Sequence, residues 1–249
     1  MGNRISSALI GMGIVLAIGL SVSSFILGKH FKTLGNYQQK IMVKGLAEKE
    51  IKADLAEWSV GVEVKEENFA KTLQKLRDSR PALDEFLKRQ GFPETEIIVG
   101  NESVVPNMEE DYTGTTYRRV QKGFKGSQTL WIRSRDLPRV IQANKEIIQS
   151  VADGNPITYE APNYLIDDLE SIKMSLIGAA TENARQRAKE FAKVGQVEIG
   201  AMRAASQGAF YILPANNDTD SSSDYGGTYD KSTIDKKARV VVTIEYGIE

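Results

Sequence analysis

Residues Leu55–Lys65 read LAEWSVGVEVK, with Trp58, Val60, Val62 and Val64 alternating against Glu57, Ser59, Gly61, Glu63 and Lys65. Side chains two apart share one face of a strand, so this pattern predicts a strand half-buried on its Trp/Val face. Just upstream, Ile41, Val43 and Gly45 suggest a preceding strand, with KGLAEKEIKAD covering the join. Just downstream the period changes. Phe69, Leu73, Leu76, Leu83, Phe86 and Leu87 recur at helical spacing, closing at Gly91. Pro81 lies inside this run, removes one helix hydrogen bond and is expected to kink or split the helix.

The same reading extends along the chain. Ile97–Val105 is strand-like and ends at Pro106, and the acidic stretch NMEEDYTGTT reads as a loop. A strand pair is expected over about Tyr117–Ser134, then a helix capped by Asp136 and stopping at Asp153-Gly154. Ile157–Leu165 reads as one strand. The longest helix runs from about Asp168 to Val194 with Gly195 as its stop. Its stripe is Leu169, Ile172, Leu176, Ala180, Ala184, Ala188 and Phe191. Val197–Ala205 is a strand, residues 214–231 are too polar and Gly/Ser-rich to pack and read as a flexible loop, and Val240–Tyr246 alternates as a closing strand. The order of elements predicts an α+β fold, mainly antiparallel sheets with helices packed on one face.

Composition narrows the chemistry. The 249 residues carry a formal net charge of −1, contain no Cys and hold a single His, His30. A Ser-His-Asp triad, a Cys-His dyad, a thiolate zinc site and a multi-His metal centre cannot be assembled from that inventory. The near-neutral balance provides no general field for nucleic acid, and no nucleic-acid partner is expected.

Ala8–Leu27, ALIGMGIVLAIGLSVSSFIL, contains no charge and no Pro. As a helix it would span roughly 30 Å, the hydrocarbon thickness of a bilayer. Residues 8–27 are therefore expected to be a transmembrane anchor, between a short tail (1–7) and a juxtamembrane linker (28–40). A signal peptide is the rival reading. Ser21 and Ser23 offer a small-x-small cleavage pattern, but Phe25, Ile26 and Leu27 continue the apolar run past it. Arg4 on one side, with Lys29 and Lys32 on the other, leaves orientation undecided.

Candidate sites are few. Asp218, Asp220 and Asp224 are oxygen ligands of the kind calcium takes. In a calcium-loop register, however, Ser223 stands where the turn Gly belongs and Tyr229 where the bidentate Glu belongs, so a solvated loop is the better reading. Glu109, Glu110 and Asp111 read as loop surface. Arg118, Arg119, Lys122 and Lys125, interleaved with Tyr117 and Phe124, form a basic–aromatic strip of the type that meets nucleic acid or anionic lipid, or simply the wet face of a strand pair. Trp58 and Trp131 are expected in core or interface, and Gly11-x-Gly13 lies in the apolar run with no phosphate-loop context. No catalytic, cofactor-binding or metal residue is assigned.

Several blocks taken in order resemble SIMPL-domain proteins. They are KGLAEKEIKADLAEWSVGVEV (44–64), GFPETEIIVGNESVVP (91–106), GFKGSQTLWIRSRDLPRV (123–140), ATENARQRAKEFAKVGQVEIGAM (180–202) and the terminal ARVVVTIEYGI. Pro81 and the Ser/Asp-rich insertion depart from the pattern. The resemblance runs from about Ile41 to Gly247, and residues 41–249 are expected to form one SIMPL-like α+β domain. It implies export to the periplasm or cell surface, oxidative-stress tolerance, ring-forming homo-oligomers in some members, and no enzymatic activity. It carries over no functional residue. Together these readings describe a non-enzymatic envelope domain that self-associates, held by residues 8–27 in a bacterial inner membrane with its C-terminal part in the periplasm or outside the cell. The alternatives are a hydrolase using carboxylate or Ser/Lys chemistry, and a lipid- or peptidoglycan-binding module. Two routes to self-association are expected, the alanine stripe of the long helix, which could equally pack on the domain's own sheet, and the edge of the pair at Tyr117–Ser134. Val240–Tyr246 is expected to be central.

Overall fold

A computed structural model describes residues 13, 16–26, 39–113, 116–216 and 227–248. Residues 16–26 are helical (α1) and exposed. The remaining elements are β1 (Lys40–Lys52), β2 (Leu55–Glu66), α2 (Phe69–Arg89), β3 (Ile97–Val99), β4 (Ser103–Thr113), β5 (Thr116–Ser134), α3 (Leu137–Ala152), β6 (Ile157–Tyr159), β7 (Asn163–Leu165), α4 (Leu169–Val194), β8 (Ile199–Pro214) and β9 (Asp235–Ile248). This is an α+β fold. The contacts divide it into two compact units, each assembled from separate stretches of chain.

The larger unit comprises residues 49–172 and 211–238. Its sheet runs β3-β5-β2-β6, with β4 on β5 and β7 on β2, and every pairing in it is antiparallel. Trp58, Val60, Val62 and Val64 face the core with Leu130 and Ile132 of β5. Leu76, Leu83, Phe86 and Leu87 of α2, with Val140, Ala143 and Ile147 of α3, cover that same face. Asn68 caps α2 through a hydrogen bond from Lys71 N–H, and Asp136 caps α3 through one from Arg139 N–H.

Several expectations change here. The pair expected over Tyr117–Ser134 is a single strand, β5, and Ile97–Val105 is divided between β3 and β4. The helix α2 is not split at Pro81, because that residue sits on the exposed side, where the orphaned carbonyl can turn to water. The stretch read as the loop NMEEDYTGTT is strand through Thr113, paired with β5 from Ser103↔Ser127 to Thr113↔Thr116. Pro106 is accommodated by an irregularity between Pro106 and Met108. Ile157–Leu165 is two short strands rather than one, separated around Pro162.

The smaller unit comprises residues 1–48, 173–210 and 239–249. Its sheet runs β1-β9-β8, so the closing strand is central as expected. Ile248 N–H donates to Gln39 O (3.2 Å) and Arg239 pairs with Glu48 (3.5 Å), so β1 and β9 run antiparallel. Leu176, Ala180, Ala184, Ala188 and Ala192 of α4 are buried. The small residues let α4 lie directly on β1. A Cβ at Gly45 would overlap Ala180 O and stand 2.8 Å from Ala184 N and Cβ.

The alanine stripe is therefore used inside the unit and is no longer free for a second copy. Phe191, placed on that stripe by spacing, is instead 62% exposed, and Ala192 takes the buried place. The buried row advances by four residues each time, and Phe191 falls off it. The left-handed residue ending α4 is Gln196 (φ 55°), not Gly195.

Candidate functional site

The basic–aromatic strip lies on a charge-paired hairpin. Residues 124–127 and 130–132 of β5 have strand neighbours on both sides, whereas 116–121 pair with β4 alone among the described strands. The edge expected over 117–134 is thus confined to its first third. In backbone register, position 110 stands opposite 119 and position 111 opposite 118. Lys122 Nζ bonds Glu109 at 3.1 Å, and with Asn107 it holds the Glu109 carboxyl below its ordinary range. The two clusters singled out in the sequence therefore lie on one hairpin, joined by the Lys122–Glu109 pair, while Lys125 pairs with Glu63 of β2 (2.7 Å). Phe124 packs edge-on against Phe69 (6.0 Å), which removes it from the ligand platform.

Trp58 is core, its Nε1–H donating to Glu160 O at 3.0 Å. Trp131, by contrast, is 48% exposed. Asp218, Asp220 and Asp224 lie outside the described residues. Residues 8–12, 14, 15 and 27 of the expected 8–27 span do too, and no helix among the described residues is long and apolar enough to cross a membrane. Among the described residues no group of three or more potential metal ligands comes together. The described carboxylates with shifted ionisation, Glu66, Glu102, Glu109, Glu146 and Asp230, are all shifted down by hydrogen-bonding partners, so none is held protonated as a general acid would be.

One polar cluster is buried. Lys236 is fully enclosed, and its Nζ reaches Asp230 Oδ2 at 3.0 Å and Asp230 O at 2.6 Å. Ser232 N–H and Oγ donate to Asp230 Oδ1, and Thr233 Oγ1 donates to Oδ2. Burial pushes the Asp230 carboxyl up, but the hydrogen bonds from Thr233, Ser232 and Lys236 outweigh it and hold the acid far below the carboxylate range. The flexible loop expected over 214–231 is therefore too long at its C-terminal end. Thr228 O, Tyr229 OH and Lys231 O all accept backbone hydrogen bonds, from Ile212, Ile166 and Tyr164. The partners that pin this end lie far away in sequence.

Two strand edges of the smaller unit differ in kind. At β1, Leu46 N–H donates to Asn183 Oδ1 (3.1 Å) and Arg187 donates to Lys44 O (3.2 Å). Side chains of α4 thus occupy the outward backbone groups of that edge. The opposite edge is β8, where residues 201–208, AMRAASQG, are exposed without interruption and include one charged residue, Arg203. A long, weakly charged, uncovered strand edge presents unpaired N–H and C=O groups and is a template for another strand. Sequence reading ended this strand at Ala205 and did not identify it as an edge, because strand order is not encoded in local alternation.

A groove of about 840 Å³ lies between β1 and α4 of the smaller unit, with Met42, Phe191 and Val194 among its lining.

Comparison with known proteins adds one match. Residues 41–246 fit the family model described as SIMPL, protein of unknown function (DUF541). No curated protein matches the chain.

Proposed function

Since the chain belongs to the SIMPL family, we propose that it is a non-enzymatic cell-envelope domain, anchored by residues 8–27, that associates with copies of itself through β8 and supports envelope or oxidative-stress tolerance. The observation carrying this reading is the contrast between the two edges of the smaller sheet. One is capped by Asn183 and Arg187, and the other is bare over residues 201–208. Backbone hydrogen bonds between copies would satisfy that edge, and its Ala, Ser and Gly side chains impose no steric barrier to a neighbouring strand. The family resemblance is what suggests both the non-enzymatic role and stress tolerance.

The association is tested on the full chain in detergent by light scattering. The wild type is expected to run as more than one copy. Ala204→Lys combined with Ser206→Lys places two like charges on the edge and should give the single-chain mass. Both sites are exposed, so the thermal midpoint should change by no more than about 2 °C. A monomeric wild type, or an oligomer indifferent to the two lysines, would remove β8 as the contact.

Topology has its own test. Alkaline phosphatase, which folds only where disulfides form, is expected to be active when fused after Glu249. Activity of a cytoplasm-restricted reporter at the same position would reverse the orientation.

A further inference from the structure

The groove between β1 and α4 exposes three apolar side chains, Met42 at 62%, Phe191 at 62% and Val194 at 84%. Soluble surfaces scatter such residues singly, and their gathering in one groove marks a contact surface. Its charged lining consists of Lys44, Arg187 and Lys189 against one acid, Glu190. Lys44 and Lys189 have no ion-pair partner among the described residues, so their charge is available to something outside the unit. Apolar anchors ringed by cations match the interface of an anionic bilayer, where apolar groups enter the headgroup boundary and ammonium groups meet lipid phosphates.

The covalent connection favours that occupant over others. Met42 lies fifteen residues after Leu27, the last residue of the apolar run. Even fully extended, that chain reaches only about 50 Å, so the groove is confined to the vicinity of the membrane at a high effective concentration. We infer that this groove is a membrane-docking face, which lays the smaller unit on the anionic leaflet beside its own anchor. The inference rests on the anchor proposed above, and its test separates the two.

The chain has no Cys, so one introduced thiol is uniquely labelled. Full-length Val194→Cys, carrying an environment-sensitive fluorophore, is reconstituted into vesicles one third phosphatidylglycerol with brominated acyl chains. Ile148→Cys, 60% exposed on α3, is the reference. Docking predicts a roughly twofold or greater bromine quench at residue 194 and about a tenth or less at 148. The quench should fall at least severalfold in pure phosphatidylcholine, at about 1 M salt, or with Lys44→Glu and Lys189→Glu together. Equal quenching at 194 and 148 in chains that resist carbonate extraction would overturn docking and leave the anchor standing. A probe at 194 that is shielded from water yet insensitive to bromine would also overturn it, assigning the groove to a second copy. Chains that wash off in carbonate refute the anchor. Quenching at 194 before that wash would still support docking, and its absence would refute both.

Discussion

Replacing Asp230 by alanine is expected to lower stability by about 3–5 kcal/mol, because it leaves the Lys236 ammonium buried without its counter-charge. Lys236 has 0% of its side chain exposed and Asp230 8%, so water cannot substitute for the lost carboxylate. Ser232 and Thr233 lose their acceptor in the same step. In a chain of this size the loss corresponds to a fall of roughly 10 °C in thermal midpoint. The double variant Asp230→Ala with Lys236→Met should recover most of it, since a buried ion pair replaced on both sides by apolar groups is often neutral. Urea unfolding of the four proteins completes the cycle. An Asp230→Ala protein with an unchanged midpoint would show that the pair contributes nothing.

The pair also sets a pH dependence. The folded carboxyl is depressed below its unfolded value, so its contribution is complete above the unfolded pKa of about 4. It declines as pH falls below that value toward the depressed folded one. Wild type should therefore lose stability steeply below about pH 4, and the double variant less steeply, because it has no such group to protonate.

Gly45→Val is the second large expectation, costing about 3 kcal/mol or more. Overpacking a core commonly costs about 1–3 kcal/mol where side chains can move aside. At Gly45 the obstacles are the carbonyl of Ala180 and the backbone nitrogen of Ala184. Backbone in the middle of a helix cannot move aside without displacing the whole element. The shift should also pull Asn183 and Arg187 from Leu46 and Lys44, uncapping the β1 edge. Thermal unfolding tests this, with Gly178→Ala as the contrast. Gly178 lies in the same helix with open space around it, and alanine there should stabilise by roughly 0.5–1 kcal/mol. Equal midpoints for Gly45→Val and wild type would mean that α4 does not lie against β1.

Whatever depends on local period is legible along the chain. Alternation from Trp58 to Val64 identified the strand and its buried face, the spacing from Leu76 to Leu87 identified the helix covering it, and Asp136 and Gly91 marked helix ends. Each of these is a property of neighbours along the chain. Where an element has no buried face the period vanishes. The 107–113 arm read as a loop because its acidic residues carry no apolar alternation, and its pairing with β5 is not a property of neighbours along the chain. The stripe of α4 was legible as small residues, but neither its partner nor the displacement of Phe191 by Ala192 was.

The remaining features come from the folded packing. It made Gly45 the floor on which α4 rests, enclosed Lys236 with Asp230 at the end of a polar stretch, capped β1 and left β8 bare. Each of these depends on which distant segment arrives beside which. Periodicity records that a face is covered, but the identity of the cover is settled by strand order and by how closely two backbones can approach.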